Sequence, residues 1–319
     1  MCLFKSSLLA VAMVVAPAAM AANMEERRAL FEMELEELLA LEISVASRTS
    51  NSRWLTPAAV TVITQDDISR SGLRTLPEIL RLVPGMHVGR IDGNKWAIAS
   101  RRAPSRYAAD MLILMDGRTL YNPMFGGTYW DIQDTIIEDI DRIEVIRGPG
   151  GSSWGANAVT GIVNIVSRPA RLTPGGMLAA GGGAGEIRSE TAARWSGKVA
   201  DNTWLRVYGK SRELAEGEWL PAGKDRTLNR EIFPGAGVLP AGDGAGDGQS
   251  AMREGFRLEH QAPSGLRLTA SGEAYDAESS DMRLNTTATR VTANDTRDHG
   301  HHVLFEAVRP ADPSAGGFP

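Results

Sequence analysis

Cysteine is nearly absent from this chain, since the only one among 319 residues is Cys2. Because Cys2 lies within a signal-like N-terminus, we expect the mature protein to contain no thiol and no disulfide. Its stability must then come from side-chain packing or from a membrane. The composition allows a packed core, because 43% of the residues are hydrophobic, as in ordinary folded proteins.

Long hydrophobic runs are missing as well. The longest, at residues 8–15, falls well short of the roughly 20 apolar residues that a membrane-spanning helix needs. Lys5 precedes this run and the tripeptide AMA follows it at 19–21, which is typical of a secretory signal peptide. We therefore predict a signal peptide over residues 1–21 and export of the remainder. Any later membrane segment would have to consist of β-strands.

No strong excess of one charge sign is present. The formal net charge is −5 and no basic stripe stands out, so we expect no nucleic-acid partner. The glycine run at 181–185 precedes no predicted helix, which argues against a dinucleotide-binding loop. His299, His301 and His302 have no nearby cysteine, and we interpret them as exposed polar residues, not a metal site. No Ser, His and acid arrangement indicates catalysis, so we expect neither an enzyme nor a cofactor.

Residues 22–53 form an N-terminal extension that begins with an acidic, leucine-containing segment. The segment is helical in pattern and is typical of a solvated extension. Glu42, Ile43, Ser44 and Val45 follow it as a short extended stretch. Such a peptide can add itself as a strand to the sheet edge of another protein.

Residues 54–172 predict an α+β domain, in which a small mixed sheet packs with short helices. Two runs rich in Ile and Val, at 142–146 and 161–167, flank a loop with several glycines. A buried strand at 111–115 ends at a strong turn signal, Asp-Gly. A capping box at 75–78 opens a short helix.

Residues 173–308 alternate between apolar and polar side chains, as in the stretch WLRVYGK at 204–210. This period of two predicts antiparallel strands with one apolar and one polar face. Alternation alone fits both a soluble β-sandwich and an outer-membrane β-barrel, whose apolar face contacts lipid. The tail at 309–319 loses the alternation and is predicted to be irregular.

Several motifs between residues 112 and 166 then occur in a specific order. They are LILMDGR at 112–118, DIDRIEVIRGP at 139–149, WGANA at 154–158 and GIVNIV at 161–166. Together they resemble the plug domain of TonB-dependent outer-membrane receptors. The resemblance implies a plug inside a barrel of about 22 strands, of which residues 173–308 supply the first strands of an incomplete antiparallel transmembrane β-barrel segment.

The resemblance also implies a function and a set of partners. The receptors of this family import nutrients across the outer membrane, so we expect a metal-chelate or vitamin-like ligand, contact with outer-membrane lipid, and a periplasmic TonB-type energy-transducing protein. Glu42, Ile43, Ser44 and Val45 stand where the family carries its TonB box. Because only five or six strands are present, two alternatives stay open: a soluble periplasmic interaction or signalling module, and a nonfunctional truncated receptor, periplasmic if it cannot insert.

Two loops are candidates for ligand contact, because the family arrangement makes them the outward apices of the plug. Their predicted contact residues are Arg101, Arg102, Arg106, Tyr121, Asn122, Phe125, Tyr129 and Trp130. Cations beside aromatic rings suit an anionic, ring-bearing ligand. The alternative is that the arginines are merely solvated and the aromatic rings pack against the barrel. The resemblance also implies an Arg-Gly pair opening the loop before the 111–115 strand, where this chain has Arg101-Arg102. Arg102 would be strained there if its φ is positive.

Three charged residues on one predicted strand are candidates for a lock between plug and barrel. We expect Arg142, Glu144 and Arg147 to lie on one side of this strand. The resemblance implies that the arginines pair with barrel glutamates. The alternative is a local salt bridge at the strand edge, which contributes little if it is exposed.

Overall fold

The computed structural model describes residues 42–43, 51–52, 59–124, 126–183, 187–215, 248–285 and 290–309. The predicted signal peptide, Ser44, Val45, Phe125 and nearly all of the tail at 309–319 lie outside the described residues. In the N-terminal extension, β1 (Glu42–Ile43) pairs antiparallel with β2 (Asn51–Ser52).

The globular domain, residues 59–172, contains one five-stranded sheet and two small hairpins. Its strands are β3 (Ala59–Thr64), β4 (Met86–Arg90), β5 (Trp96–Ser100), β6 (Met111–Met115), β7 (Arg118–Thr119), β8 (Tyr121–Asn122), β9 (Gly127–Thr128), β10 (Ile140–Arg147) and β11 (Gly161–Ser167). The sheet order is β3-β10-β11-β6-β7, with β11 and β6 parallel and the other pairs antiparallel. The predicted small mixed sheet is confirmed.

Short helices connect these strands. They are α1 (Gln65–Ser71), α2 (Leu76–Ile79) and α3 (Gly151–Trp154), together with 3-10 turns at Leu80–Leu82, Trp130–Ile132, Ile137–Asp139 and Ala170–Leu172. The predicted cap of α2 is present, because the Thr75 hydroxyl accepts a hydrogen bond from the backbone N–H of Glu78 at 3.3 Å. Among the described residues, no helix is long and apolar enough to cross a membrane.

The sheet of the globular domain buries apolar side chains on both faces. On one face, Ile143 and Val145 of β10 join the main core with residues of the helices. On the other face, Ile146 packs with Ile162 of β11 and with Leu112 of β6. Strands that are covered on both faces are expected to read as nearly continuous apolar runs, which explains the sequences MLILM and IEVI.

The second region is a single antiparallel sheet, which we call the wall sheet. Its strands are β12 (Gly175–Gly181), β13 (Ile187–Ala200), β14 (Thr203–Leu214), β15 (Gln249–Gln261), β16 (Arg267–Asn285) and β17 (Arg290–Val308). Each strand pairs with the next one along the chain. Residues 201–202 and 262–266 form short turns at one end of the sheet, and the long connection between β14 and β15 leaves from the other end. The six strands do not close into a barrel.

The two faces of the wall sheet have opposite character. The face that packs on the globular domain is charged, and its side chains, such as Arg206 and Lys210, are buried. The opposite face carries exposed apolar side chains: Leu178, Trp195, Val199, Val207, Met252, Phe256, Leu258, Leu268, Val303 and Phe305. A soluble sandwich would bury its apolar face against a second sheet. The observed arrangement matches a barrel wall with lipid outside and a filled, polar interior.

Candidate functional site

The globular domain contacts the wall sheet at both ends, and these contacts give the molecule an orientation. Near the short turns, the backbone N–H of Ala170 donates to the Glu259 carboxylate at 3.0 Å. At the other end, the Asn94 amide donates to the carbonyl oxygens of Gly248 and Ser280, each at 3.1 Å. Because the turns at the Ala170 end are short and the long connection leaves from the other end, as external loops do in β-barrels, we call the Asn94 end the outer end.

Arg106 lies at the centre of a cluster near this outer end. Its Nη2 donates to Oδ2 of Asp131 at 2.8 Å. Its guanidinium stacks over the rings of Tyr107 and Tyr129, 5.4 and 5.5 Å from their centroids, where a cation is attracted by the ring electrons. The cluster fixes the loop around Arg106 to the turn Trp130–Ile132. A protein carboxylate therefore already neutralises Arg106.

Asp131 is the most constrained member of this cluster. Its side chain is 1% exposed, and its Oδ1 has no hydrogen-bond partner among the described residues. Burial raises the pKa of Asp131 to about 6, although Arg106 opposes the rise. The Asp131 backbone oxygen accepts a hydrogen bond from Gln249 of the wall sheet at 2.9 Å. Asp131 thus links the outer loops to the wall.

A second acidic residue, Asp134, anchors the globular domain deeper in the wall sheet. Its Oδ1 accepts hydrogen bonds from Lys210 at 2.9 Å and from Arg212 at 3.3 Å. Burial disfavours the charged carboxylate, but Arg212 and Lys210 outweigh it and lower the pKa of Asp134 to about 2. The group is therefore ionised at neutral pH and holds two buried cations.

Two further carboxylates continue these contacts toward the short turns. Asp139 pairs with Arg194 and lies 3.8 Å from Arg206. Asp116 lies 3.3 Å from Nη1 of Arg257, and it also accepts the backbone N–H of Ser167. We call this line of contacts, from Asp131 to Asp116, the seam. At Asp134, Asp139 and Asp116 the globular domain supplies the carboxylate and the wall sheet the cations, whereas the pair of Arg74 with Glu190 has the opposite polarity.

Comparison with known proteins identifies the globular domain. The family model described as TonB-dependent Receptor Plug Domain matches residues 53–162. Over these residues the globular domain matches the plug domain of TonB-dependent receptors. From here on the globular domain is called the plug.

Curated relatives agree with this assignment. The chain is 30% identical over 156 residues to a vitamin B12 transporter of Vibrio vulnificus (strain CMCP6), covering 49% of this chain and 25% of the relative. It is 29% identical over 241 residues to a vitamin B12 transporter of Vibrio cholerae (strain M66-2), covering 73% of this chain and 35% of that protein. The chain therefore spans between a quarter and about a third of these relatives.

Solved structures share the fold. The ferripyoverdine receptor of the Pseudomonas aeruginosa outer membrane matches with a TM-score of 0.53 at 17% identity, over 76% of this chain and 29% of that one. A ferric enterobactin receptor mutant from the same organism matches with a TM-score of 0.51 at 21% identity, over 82% and 40%. At these identities the likeness concerns the fold alone. It supports the prediction of a plug followed by antiparallel barrel strands.

In the loop between β5 and β6, Arg101 and Ala108 have positive φ, whereas Arg102 does not. Arg101 has φ of +57°, a region that favours glycine because it has no Cβ. The Arg102 guanidinium lies 3.4 Å from the carboxylate of Asp110. Both arginines are exposed. Backbone strain of this kind collects at functional positions, so Arg101 is a stronger candidate for ligand contact than the paired Arg106.

The aromatic candidates do not share one environment. Trp130 is 2% exposed and belongs to the plug core, and Tyr129 is buried as well. Both side chains are therefore packed, but Trp130 packs within the plug core and not, as the alternative had it, against the barrel wall. Tyr121 and Asn122 of β8 are half-buried and remain available at the loop. The sequence did not indicate Tyr107 or Asp131, which complete the cluster around Arg106.

The expected arrangement of the lock residues is partly wrong. Arg142 and Glu144 share one face of β10, but Arg147 lies on the opposite face, because it is five positions from Arg142 and side chains alternate along a strand. Arg142 pairs within its own strand, with Asp141 at 2.7 Å and Glu144 at 2.8 Å. This is the local salt bridge that the sequence left open as an alternative. The ion pairs observed between plug and wall involve Asp134, Asp139, Asp116 and Arg74 instead.

Proposed function

We propose that this chain forms the plug and the first wall strands of an outer-membrane receptor that imports a metal-chelate or vitamin-like ligand. Energy for import comes from a periplasmic TonB-type protein. The observation that carries the proposal is the inverted wall sheet, whose charged face packs on the plug and whose apolar face is exposed. A sheet of this kind is stable with lipid on its apolar side.

The ligand class follows from the relatives and from the outer loops. Vitamin B12 transporters are the curated relatives near 30% identity, so a corrinoid is the first ligand to test. Arg101, Arg102, Tyr121 and Asn122 lie on the outer plug loops with exposed or half-exposed side chains. Cations beside aromatic rings suit a large, flat ligand with anionic groups.

The ligand site is tested by binding to the receptor in outer membranes. The combined variant Arg101→Ala, Arg102→Ala, Tyr121→Ala should lose at least about tenfold in corrinoid affinity, because several charged and stacking contacts of about 1 kcal/mol each disappear. The control is Arg70→Ala, which removes an exposed arginine on α1 that pairs with Asp66. Unchanged corrinoid and ferric-chelate affinities in the combined variant would remove these loops from the site.

The TonB box is tested at Ile43, which is extended and pairs with Asn51. A peptide that adds to a sheet edge needs its backbone N–H groups. Ile43→Pro removes one of these donors and should abolish uptake while surface binding persists, whereas Ile43→Val should behave as the wild type. Deleting residues 42–45 should have the effect of the proline variant. Normal uptake in both would place the coupling segment elsewhere.

The rival function is a soluble periplasmic interaction module. The exposed apolar face speaks against it, since contiguous apolar surface on a soluble protein promotes aggregation. Fractionation separates the two readings: the proposed receptor sediments with outer membranes and needs detergent for release. Recovery of the protein in the soluble periplasmic fraction, without detergent, would favour the module.

A further inference from the structure

The inner face of β13, β14 and β15 is strongly basic. Six cationic side chains of these strands face the plug with at most 15% exposure: Arg194, Arg206, Lys210, Arg212, Arg253 and Arg257. Two carboxylates accompany them on the same strands, Glu190 and Glu259. Six cations against two carboxylates leave an excess of four positive charges. We call this set of six cations the basic column.

The plug supplies three carboxylates against this excess, and also one cation, Arg74, which pairs with Glu190. Asp134 pairs with Lys210 and Arg212. Asp139 pairs with Arg194 and lies near Arg206, and Asp116 pairs with Arg257. The fourth compensating carboxylate, Glu273, belongs to β16 of the wall and pairs with Arg253. Three of the four compensating carboxylates therefore leave the wall if the plug moves away.

The basic column runs lengthwise along the strands. Arg206 and Arg212 are six residues apart on β14, which corresponds to about 20 Å of strand at roughly 3.3 Å per residue. Lys210 lies between them, and Arg257 pairs in register with Arg206 from β15. The cations thus extend from near the outer end of the sheet toward the short turns. This is the direction in which an imported ligand must travel.

We propose that the basic column guides the anionic groups of a ligand, phosphate or carboxylate, along the wall when the plug is displaced. The inference rests on the proposed function, because it assumes that the plug moves during import. Clustered charges of one sign beside low-dielectric walls raise the local concentration of counter-ions. Buried cations that lose their partners are costly, so an arriving anion takes over the role of Asp134 and Asp139.

The test measures ion selectivity of the whole receptor in planar lipid bilayers, with potassium chloride as the probe. A salt gradient is applied while urea is raised on one side to displace the plug, and the reversal potential gives the chloride-to-potassium permeability ratio. The wild type should prefer chloride. Lys210→Gln combined with Arg206→Gln should lower the ratio by about twofold or more, because two charges of the column are removed. Lys210→Arg should keep the wild-type ratio.

The matched control is Arg297→Gln. Arg297 is exposed on the outward face of β17, where it pairs with Asp276, so the same charge change lies outside the lumen and should leave the ratio unchanged. Replacing chloride by acetate and then by phosphate shows which anionic group the column prefers.

Three results overturn the inference. They are a potassium-selective wild-type channel, a double variant with the wild-type ratio, and a membrane that stays silent over the whole urea range, since the column is then never uncovered. The import proposal fails on a different measurement, which is uptake by whole cells. If cells take up neither corrinoid nor ferric chelates, although the receptor forms a chloride-selective channel in bilayers, import is wrong and the basic column stands.

Discussion

The plug and the wall sheet use the same alternation of strand side chains for opposite purposes. In the plug, both faces of β10 are apolar at Ile143 and Ile146, and both side chains are buried. In the wall sheet, Arg206 is buried whereas the neighbouring Val207 is exposed. The environment of a strand can therefore be inferred only when the burial of each of its faces is known. The plug follows the rule of a soluble core, and the wall follows the rule of a lipid-facing barrel.

The largest expected effect comes from breaking the seam where plug and wall meet. Asp134→Ala leaves Arg212 buried without its carboxylate and leaves Lys210 with Glu190 alone. Loss of one partner of a buried ion pair destabilises by about 3–5 kcal/mol, so the plug should detach at a clearly lower urea concentration. Protease sensitivity of the plug in outer membranes, followed against urea, measures this.

The control for this prediction is Asp66→Ala, which removes an exposed partner of Arg70 and should have almost no effect. An Asp134→Ala plug with wild-type protease sensitivity would mean that the seam does not hold the plug.

The next effect concerns the apolar face of the wall. Phe256→Arg places a charge on the outward face, between Val207 of β14 and Gly272 of β16. An arginine near the middle of a bilayer costs a barrel about 2–4 kcal/mol, so the yield of folded protein in lipid vesicles should fall. Phe256→Leu keeps an apolar side chain and should fold as the wild type does. Equal folding of the arginine variant would contradict the lipid-facing assignment.

A smaller effect is expected when the stability of the plug is measured against pH, because Asp131 of the plug has a raised pKa. Its folded pKa of about 6 lies above the ordinary carboxyl value, so the folded plug binds more protons than the unfolded chain between about pH 4 and 6. The stability that Asp131 contributes is complete below its unfolded pKa and is lost as the pH rises through 6. Asp131→Asn should remove this loss, of the order of 2 kcal/mol.

The measurement is the urea midpoint of plug detachment between pH 4.5 and 7. The midpoint should fall less with rising pH in Asp131→Asn than in the wild type. Asp134 has a lowered pKa and loses its stabilisation only as the pH falls from about 4 toward 2, outside this window. Parallel pH profiles for wild type and variant would show that Asp131 is not the responsible group.

The smallest effect is a local one in the plug. Thr75→Ala removes the hydroxyl that accepts from the backbone of Glu78 at the start of α2. Loss of an N-cap costs about 1 kcal/mol, so the urea midpoint should shift slightly. Thr119→Ala, at an exposed position, serves as the control. A shift as large as that of Asp134→Ala would contradict the ranking of seam over local caps.

The sequence predicts the elements of the fold well, because their signals are local. Apolar runs, turn glycines and the cap at Thr75 fix the plug strands and α2 without knowledge of distant residues. The seam was not predicted, since Asp134 and Lys210 are 76 positions apart and neither has a distinctive neighbourhood. The error at Arg147 was avoidable, because counting positions along β10 already places it opposite Arg142.

The candidate ligand site was only partly predictable for the same reason. Composition identified loops with arginines and aromatic rings, but not which side chains the fold buries. Trp130 enters the core, and Arg106 is neutralised by Asp131. Arg101 has the positive φ that the sequence raised as a question for Arg102. Such assignments depend on tertiary contacts that no local pattern encodes.

The central claim is that the apolar face of the wall sheet contacts lipid. The chain has no cysteine besides Cys2, so single fluorophores can be attached at Val207→Cys, at Phe305→Cys and, as an aqueous control, at Asn202→Cys in a short turn. In vesicles, lipids with brominated chains should quench the first two labels, and iodide in the buffer should quench only the third. Quenching of the Val207 and Phe305 labels by iodide, with no effect of the brominated lipids, would contradict the account.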